Sequence, residues 1–338
     1  MTAQDIEYTE LYVSDERTAV EYLVSSFGFT RIAESSDAGA HSSLLRQGSA
    51  QVVVTTGRGT EEFLEAHGDG VADIAFACDD VSRTRDMALA AGASELMSEP
   101  GRHVVTGFFG TRHTLVPRSA GNRVPAGRPW ARTPATSVRP LGHIRLLDHV
   151  AVCAESGTLA DCADFYANGF GIPRYSSEYV EVGEQALDSI VVRSPSGGIT
   201  FTILEQDPTK KPGQIQGFVS RNDGPGVQHL AFLVDDILSA VREYGDRGVD
   251  FLRTPGAYYD MLADRLPDIR AEISDLRLTN VLADRDEWGY LLQLFTRSPY
   301  QRNTMFYELV QRRGARGFGG ANIKALYEAV ERDGLTSE

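Results

Sequence analysis

The sequence predicts an α+β fold in which each half of the chain reads as strand, helix, several strands, and then the same again. Three observations carry this. Segments recur: GVADIAFACDDV (70–81) matches GVQHLAFLVDDI (226–237), and YTELYV (8–13) matches LLDHVAV (146–152). Internal similarity of this kind marks repeated supersecondary units. Alternating, β-branched runs such as QVVVTT (51–56), SIVVRS (189–194) and ITFTIL (199–204) read as strands. Finally, His149, His229 and Glu308 each sit inside a strand-like stretch at nearly equal spacing, 229 − 149 = 80 and 308 − 229 = 79. Residues so far apart meet only if a sheet curls so that separate strands face one cavity.

The elements follow in order. The opening strand around Glu10 leads to a helix and an aromatic-glycine turn, Phe27-Gly28-Phe29. After residues 70–81 a helical pattern ends at Ala91-Gly92-Ala93, and GTRHTLV (110–116) aligns with the later GYLLQLF (289–295). Residues 117–140 contain Pro117, Pro125, Pro129, Pro134 and Pro140, which argues for a linker or surface wrap. The second half repeats the order, with the turn Phe170-Gly171-Ile172, a hairpin turn SPSGG (194–198) and helical patterns near 236–246 and 258–265. In this alignment Glu10 stands where His149 stands, and Asp73 where His229 stands. The expected domains are 1–122, structural and without metal, a linker 123–144, and a catalytic 145–338. Glycines at 314, 317, 319 and 320 precede Ile323, Leu326, Tyr327 and Val330, an amphipathic spacing that predicts a C-terminal lid helix closing over the site.

Composition bounds the function. The chain has 338 residues, 42% hydrophobic and 24% charged, which suits a folded chain with two sizeable cores. A net charge of −14 argues against nucleic acid or an anionic membrane surface as partner. MTAQDIEYTE has no basic and apolar leader pattern, and there is no apolar run of membrane-spanning length. Cys78, Cys153 and Cys162 form no CxxC and read as buried hydrophobes, in keeping with a reducing cytoplasm. An exposed edge strand in the first half leaves room for a homo-oligomer.

Two imidazoles and one carboxylate on one face of a metal, with other positions open, form the facial triad of non-haem Fe(II) oxygenases. A carboxylate alone on an apolar strand is costly to desolvate, and metal ligation compensates that cost. His143 competes with His149, but RPLGHIR is loop-like. Ligand identity alone does not separate iron from zinc.

A duplicated βαβββ unit with ligands on its strands resembles the vicinal oxygen chelate (glyoxalase-like) superfamily. The resemblance implies two open, cup-like barrels. Within it, GPGVQHLAF, FLRTPGAYYDML (251–262), LADRDEWGYLLQLFT (282–296) and the tail from Glu308 resemble the 4-hydroxyphenylpyruvate dioxygenase family over nearly all of residues 145–332. This implies Fe(II) held by His149, His229 and Glu308, with a small α-keto acid and O2 as substrates. It also implies substrate contacts at Ser189, Thr202, Gln293, Phe318, Asn322 and Ile323. One branch of the family forms homogentisate; another hydroxylates the benzylic carbon to give 4-hydroxymandelate and CO2. Thr202-Ile203-Leu204 replaces the homogentisate branch's Pro-x-Asn, and Asn322-Ile323 departs from its GNFKALFEA tail, so the benzylic branch is expected. That product suits peptide-antibiotic biosynthesis.

Overall fold

The β-branched runs form two large sheets in the computed structural model, which describes residues 3–37, 39–99, 102–118, 124–125, 127–133 and 141–324. Among the described residues the first sheet has nine strands: β1 (Ala3–Tyr12), β2 (Thr30–Asp37), β3 (Ala40–Gln47), β4 (Ala50–Gly57), β5 (Gly70–Cys78), β6 (Glu95–Glu99), β7 (Arg102–Thr106), β8 (Arg112–Pro117) and β9 (Ala131–Arg132). Their order is β6-β7-β8-β5-β1-β4-β3-β2-β9. The second sheet has β10 (Ile144–Cys153), β11 (Arg174–Val182), β12 (Gln185–Arg193), β13 (Thr200–Gln206), β14 (Gly226–Val234), β15 (Leu282–Arg285), β16 (Tyr290–Phe295) and β17 (Phe306–Arg313). It runs β11-β12-β13-β10-β14-β17-β16-β15. The central pairs β1/β5 and β10/β14 are antiparallel, and each central strand has a parallel outer neighbour: β4, β8, β13 and β17. This is the expected duplicated βαβββ architecture.

The helices are α1 (Glu16–Glu21), α2 (Glu61–His67), α3 (Val81–Ala90), α4 (Leu159–Phe170), α5 (Gln214–Arg221), α6 (Ile237–Asp246), α7 (Gly256–Arg265) and α8 (Ile273–Thr279). The repeated Asp-Asp pairs have a local cause. Asp80 and Asp236 are N-caps whose side chains accept from Arg83 N and Ser239 N, and Asp15 does the same for α1. Such caps satisfy backbone donors left open at a helix start.

Matching bulges set the register between halves. β1 carries an extra residue between Ile6 and Tyr8, and β10 carries one between Leu147 and His149. Tyr8 pairs with Ala75 as His149 pairs with Ala231, so His149 corresponds to Tyr8. Glu10 corresponds to Ala151, two residues from the expected match. A two-residue slip leaves every side chain on the same face, so alternation does not reveal it. The third match also shifts. Phe76 pairs with Leu115 as Phe232 pairs with Leu309, so GTRHTLV corresponds to the strand of Glu308, not to GYLLQLF. Thr114 stands where Glu308 stands.

Those substitutions close the first sheet's concave face. Asp73 accepts from Thr114 N at 2.9 Å and from the Thr114 hydroxyl. Glu10, 1% exposed, accepts from Thr55 Oγ1 at 2.6 Å and pairs with Arg128. Arg128 belongs to the stretch read as linker. Its described part is not devoid of structure: β9 pairs with β2, and Trp130 packs beside Tyr8 and Ala33. The convex faces share one core, in which Phe27 and Phe29 meet Tyr307 and Phe232 across the halves. Gly169 brings α4 against α3; a Cβ there would lie 3.2 Å from Ala91 Cβ.

Candidate metal centre

Strand register assembles the centre. His149 pairs with Ala231, and Ala231 pairs with Glu308, so these three lie in one row across β10, β14 and β17. His229 precedes Ala231 by two and faces the same side. The methyl of Ala231 leaves open the space between the side chains flanking it. His149 Nε2 lies 3.2 Å and His229 Nε2 3.1 Å from Glu308 Oε2. The donor atoms of all three residues lie within 4.8 Å of one another, and all three side chains are buried. The structure thus brings together the residues expected as ligands. His143 lies apart, before β10, bonded to Glu243.

The outer nitrogens are held. His149 Nδ1 donates to Asp148 Oδ1 at 2.9 Å, and His229 Nδ1 to Gln228 Oε1 at 3.1 Å. These acceptors take the Nδ1 protons and turn both Nε2 atoms inward, the arrangement that orients imidazoles for a metal. Asp148 reaches His149 because it is the bulged residue of β10; bulges re-aim side chains. Arg312 grips the other side of Asp148, with Nε to Oδ2 at 2.8 Å and an Nη to Oδ1 at 2.7 Å. It also donates to Gly317 O at 2.7 Å and lies over the Phe318 ring. Phe318 in turn packs edge-on against His149.

Electrostatics follow from this. Burial pushes the Asp148 carboxyl up, but Arg312 and His149 outweigh it and hold it below the usual range. Burial also raises Glu308, and the two imidazoles bring it net below its ordinary value. The histidines diverge. Burial disfavours charge on both, yet His149 is held near 9 because carboxylates flank both nitrogens. His229 faces an amide on one side, and burial lowers it. A proton on His149 therefore balances a site built for a cation.

The cavity over the triad measures about 260 Å³ and is walled by Ser189, Val191, Thr202, Leu204, Gln293, Phe295, Phe318, Glu178 and Ile323, among others. Of the residues expected at the substrate, Ser189, Thr202, Gln293, Phe318 and Ile323 line it. Asn322 does not: it stands behind Gln293, its Nδ2 3.4 Å from Gln293 Oε1 and its Oδ1 accepting from Tyr258 OH at 2.8 Å. Gly319 sits so close to Gln293 that a Cβ would come within 2.1 Å of Oε1. The expected lid helix begins at Gly320 and is described to Lys324; Leu326, Tyr327 and Val330 lie outside the described residues. A larger cleft of about 1020 Å³ between the halves shares Asp148, Arg312 and Phe318 but holds none of the triad. Sequence reasoning missed Asp148, Gln228, Ala231 and Arg312. One signal was readable: an acceptor directly precedes each histidine, in Asp148-His149 and Gln228-His229.

Paired curled sheets of βαβββ units around a buried two-histidine, one-carboxylate centre define a protein of the vicinal oxygen chelate class. In agreement, residues 146–294 match the Glyoxalase/Bleomycin resistance protein/Dioxygenase superfamily model. Residues 1–107 match the model described as Hydroxyphenylpyruvate dioxygenase, HPPD, N-terminal. The chain is 36% identical over 294 residues to a 4-hydroxyphenylpyruvate dioxygenase of Neurospora crassa, covering 80% of this chain and 71% of the relative. It is 30% identical over 359 residues to that of Danio rerio, covering 97% and 90%. A solved structure of a 4-hydroxymandelate synthase mutant from Streptomyces coelicolor superimposes with a TM-score of 0.89 at 54% identity, covering 98% of this chain and 99% of that one. The chain belongs to the 4-hydroxyphenylpyruvate dioxygenase family. No described helix is long and apolar enough to cross a membrane.

Proposed function

We propose that the protein is an Fe(II)-dependent dioxygenase that converts 4-hydroxyphenylpyruvate and O2 to 4-hydroxymandelate and CO2. The single observation carrying this reading is the buried convergence of His149, His229 and Glu308 beside a cavity large enough for an aryl keto acid. The donor set fits a divalent cation: two inward imidazoles with anchored outer nitrogens, one carboxylate, and an unfilled side. His149, His229 and Glu308 hold the ion. When bound, ferrous iron supplies the redox chemistry by which O2 and an α-keto acid react together.

The chain's own groups do the rest. With neutral imidazoles, Glu308, Asp148 and Arg312 sum to one negative charge, so a dication leaves the site ready for one anionic ligand. That charge suits the carboxylate of a keto acid. Val191, Thr202, Leu204 and Phe295 shape the wall along which an aromatic ring lies, and Phe318 closes the His149 side. Closure excludes water from a reactive centre. The wall's shape decides which substrate carbon lies nearest the metal. A difference of about 2–3 kcal/mol between benzylic and ring attack gives roughly 30- to 150-fold selectivity.

Support for the benzylic product comes from Thr202 and Leu204 in the wall and from the 54% identity to a 4-hydroxymandelate synthase. A second reading, homogentisate formation, is supported by relatives named 4-hydroxyphenylpyruvate dioxygenase at 30–36% identity. Chromatography of the product from Fe(II)-loaded protein, ascorbate, O2 and 4-hydroxyphenylpyruvate separates them. 4-Hydroxymandelate is expected. Homogentisate as main product overturns the benzylic reading, and absence of O2 consumption overturns both.

A further inference from the structure

The cleft of about 1020 Å³ between the halves opens on the end of the cup that holds the triad. Thr200 lines the cleft and Thr202 the triad cavity, and residues two apart on β13 point to one side of the sheet. Leu233 and His229 on β14, and Arg312 and Glu308 on β17, repeat the relation four residues apart. At about 3.3 Å per residue, the cleft begins roughly 13 Å from the triad along these strands. Among the described residues Phe318 alone lines both spaces, so its ring is the partition between them. It stands between Gly317 and Gly319, the latter at φ +80°.

The cleft's charge is opposite to that of the chain. Five described charged side chains line it: Asp5, Asp148, Arg193, Arg312 and Arg316. Both acids are already paired, Asp5 with Arg118 at 3.2 Å and Asp148 with Arg312 at 2.7 Å. Arg193 and Arg316 meet no carboxylate among the described residues. They lie instead over aromatic faces, Arg193 5.3 Å from the centre of the Tyr175 ring and Arg316 4.9 Å from that of Trp288. Stacking of this kind holds a guanidinium in place while its N–H edge stays free for an anion. The cleft is thus cationic in a chain of net charge −14. A cleft lined by one sign of charge focuses its field and raises the arrival rate of ions of the other sign. Steering needs charges that solvent reaches, and Arg316 is exposed and Arg193 half-buried.

We propose that anionic α-keto acids reach the triad through this cleft, past Phe318, and that Arg193 and Arg316 steer them in. This route deepens the function proposed above and rests on it. The two arginines act on arrival and not on the bound state, because neither lines the triad cavity.

The test is anaerobic stopped-flow mixing of the Fe(II)-loaded protein with 4-hydroxyphenylpyruvate. The visible absorbance change that accompanies keto-acid binding gives the association and dissociation rate constants. In Arg193→Gln/Arg316→Gln the association rate constant is expected to fall at least about fivefold at about 20 mM salt, where screening is weak, with dissociation within about twofold of wild type. A smaller fall, or an affinity loss carried by faster dissociation, overturns the proposal. Should the double variant not fold, Arg316→Gln at its exposed position is read instead; a fall of at least about twofold is expected, and a smaller one overturns the proposal. Arg17→Gln/Arg253→Gln changes the net charge equally at two exposed arginines outside the cleft. It is expected to keep the wild-type association rate within about twofold; a larger fall means that overall charge does the steering, and overturns the assignment. Raising salt to about 300 mM is expected to slow association with wild type at least about twofold. Faster association, the response of an anion repelled by the net charge of −14, or a smaller slowing overturns the proposal. Wild-type protein that binds no keto acid would overturn the underlying function as well, whereas binding with unmoved association rates overturns this route alone.

Discussion

Replacing Arg312 with methionine isolates what holds His149 in place. Asp148 and Arg312 side chains are 9% and 19% exposed, and two hydrogen bonds of 2.7 and 2.8 Å join them. Removing one partner of a buried pair costs about 3–5 kcal/mol, because the other charge is left uncompensated. Arg312 keeps some contact with solvent, and in the metal-free protein His149 still pairs with Asp148, so the lower end applies. Loss of the stacking on Phe318 adds about 0.5–1 kcal/mol, giving about 3.5–4 kcal/mol in all. Urea unfolding of the metal-free Arg312→Met protein is the assay. The double variant Asp148→Asn/Arg312→Met removes both charges and is expected to recover at least about 2 kcal/mol. Chelator competition is expected to show Fe(II) bound about 10- to 100-fold more weakly in the single variant, because the imidazole loses its fixed acceptor. A single variant within about 0.5 kcal/mol of wild type, or a double variant as costly as the summed singles, refutes the reasoning.

Two further outcomes are expected. His113 is fully buried, its Nδ1 donating to Ile74 O and its Nε2 accepting from Tyr166 OH, and burial lowers it to about 4. A folded value below the unfolded 6.5 means stability is lost as pH falls from about 6.5 toward 4, by about 2 kcal/mol at pH 5. His113→Leu should flatten the acid limb of urea stability between pH 7.5 and 5 by about that amount, and an unchanged limb would remove His113 from the account. Ala231→Leu fills the floor between His149 and Glu308. It is expected to cost about 1–3 kcal/mol by overpacking and to abolish stoichiometric Fe(II) uptake, checked by elemental analysis; wild-type uptake would show that the row does not enclose the ion.

Much of the fold was legible because its signals are local. Alternation marked the strands, helical patterns after 70–81 and near 236–246 marked two helices, and the triad stood inside three apolar runs. What failed was register. The slip that set Glu10 against His149 preserves period two and so leaves no trace in a single sequence, and GTRHTLV was matched to GYLLQLF because that strand, next to the strand of Glu308, is also apolar. Only the bulges at Glu7 and Asp148 resolve the slip, and only the pairings Phe76–Leu115 and Phe232–Leu309 resolve the mismatch of strands. Asn322 lies behind the cavity wall for a related reason. Its helical turn is visible in sequence, but the side that meets the cavity depends on Gly319 packing against Gln293. Arg312 was hidden because its partner Asp148 lies 164 residues away.

The most direct test of the central claim is anaerobic equilibrium dialysis of Fe(II) against the wild-type protein and the variants His149→Ala, His229→Ala and Glu308→Ala. The account predicts one tightly bound ferrous ion per wild-type chain and loss of that binding in each variant while the fold, followed by circular dichroism, persists. A folded variant that keeps wild-type stoichiometry and affinity would contradict it.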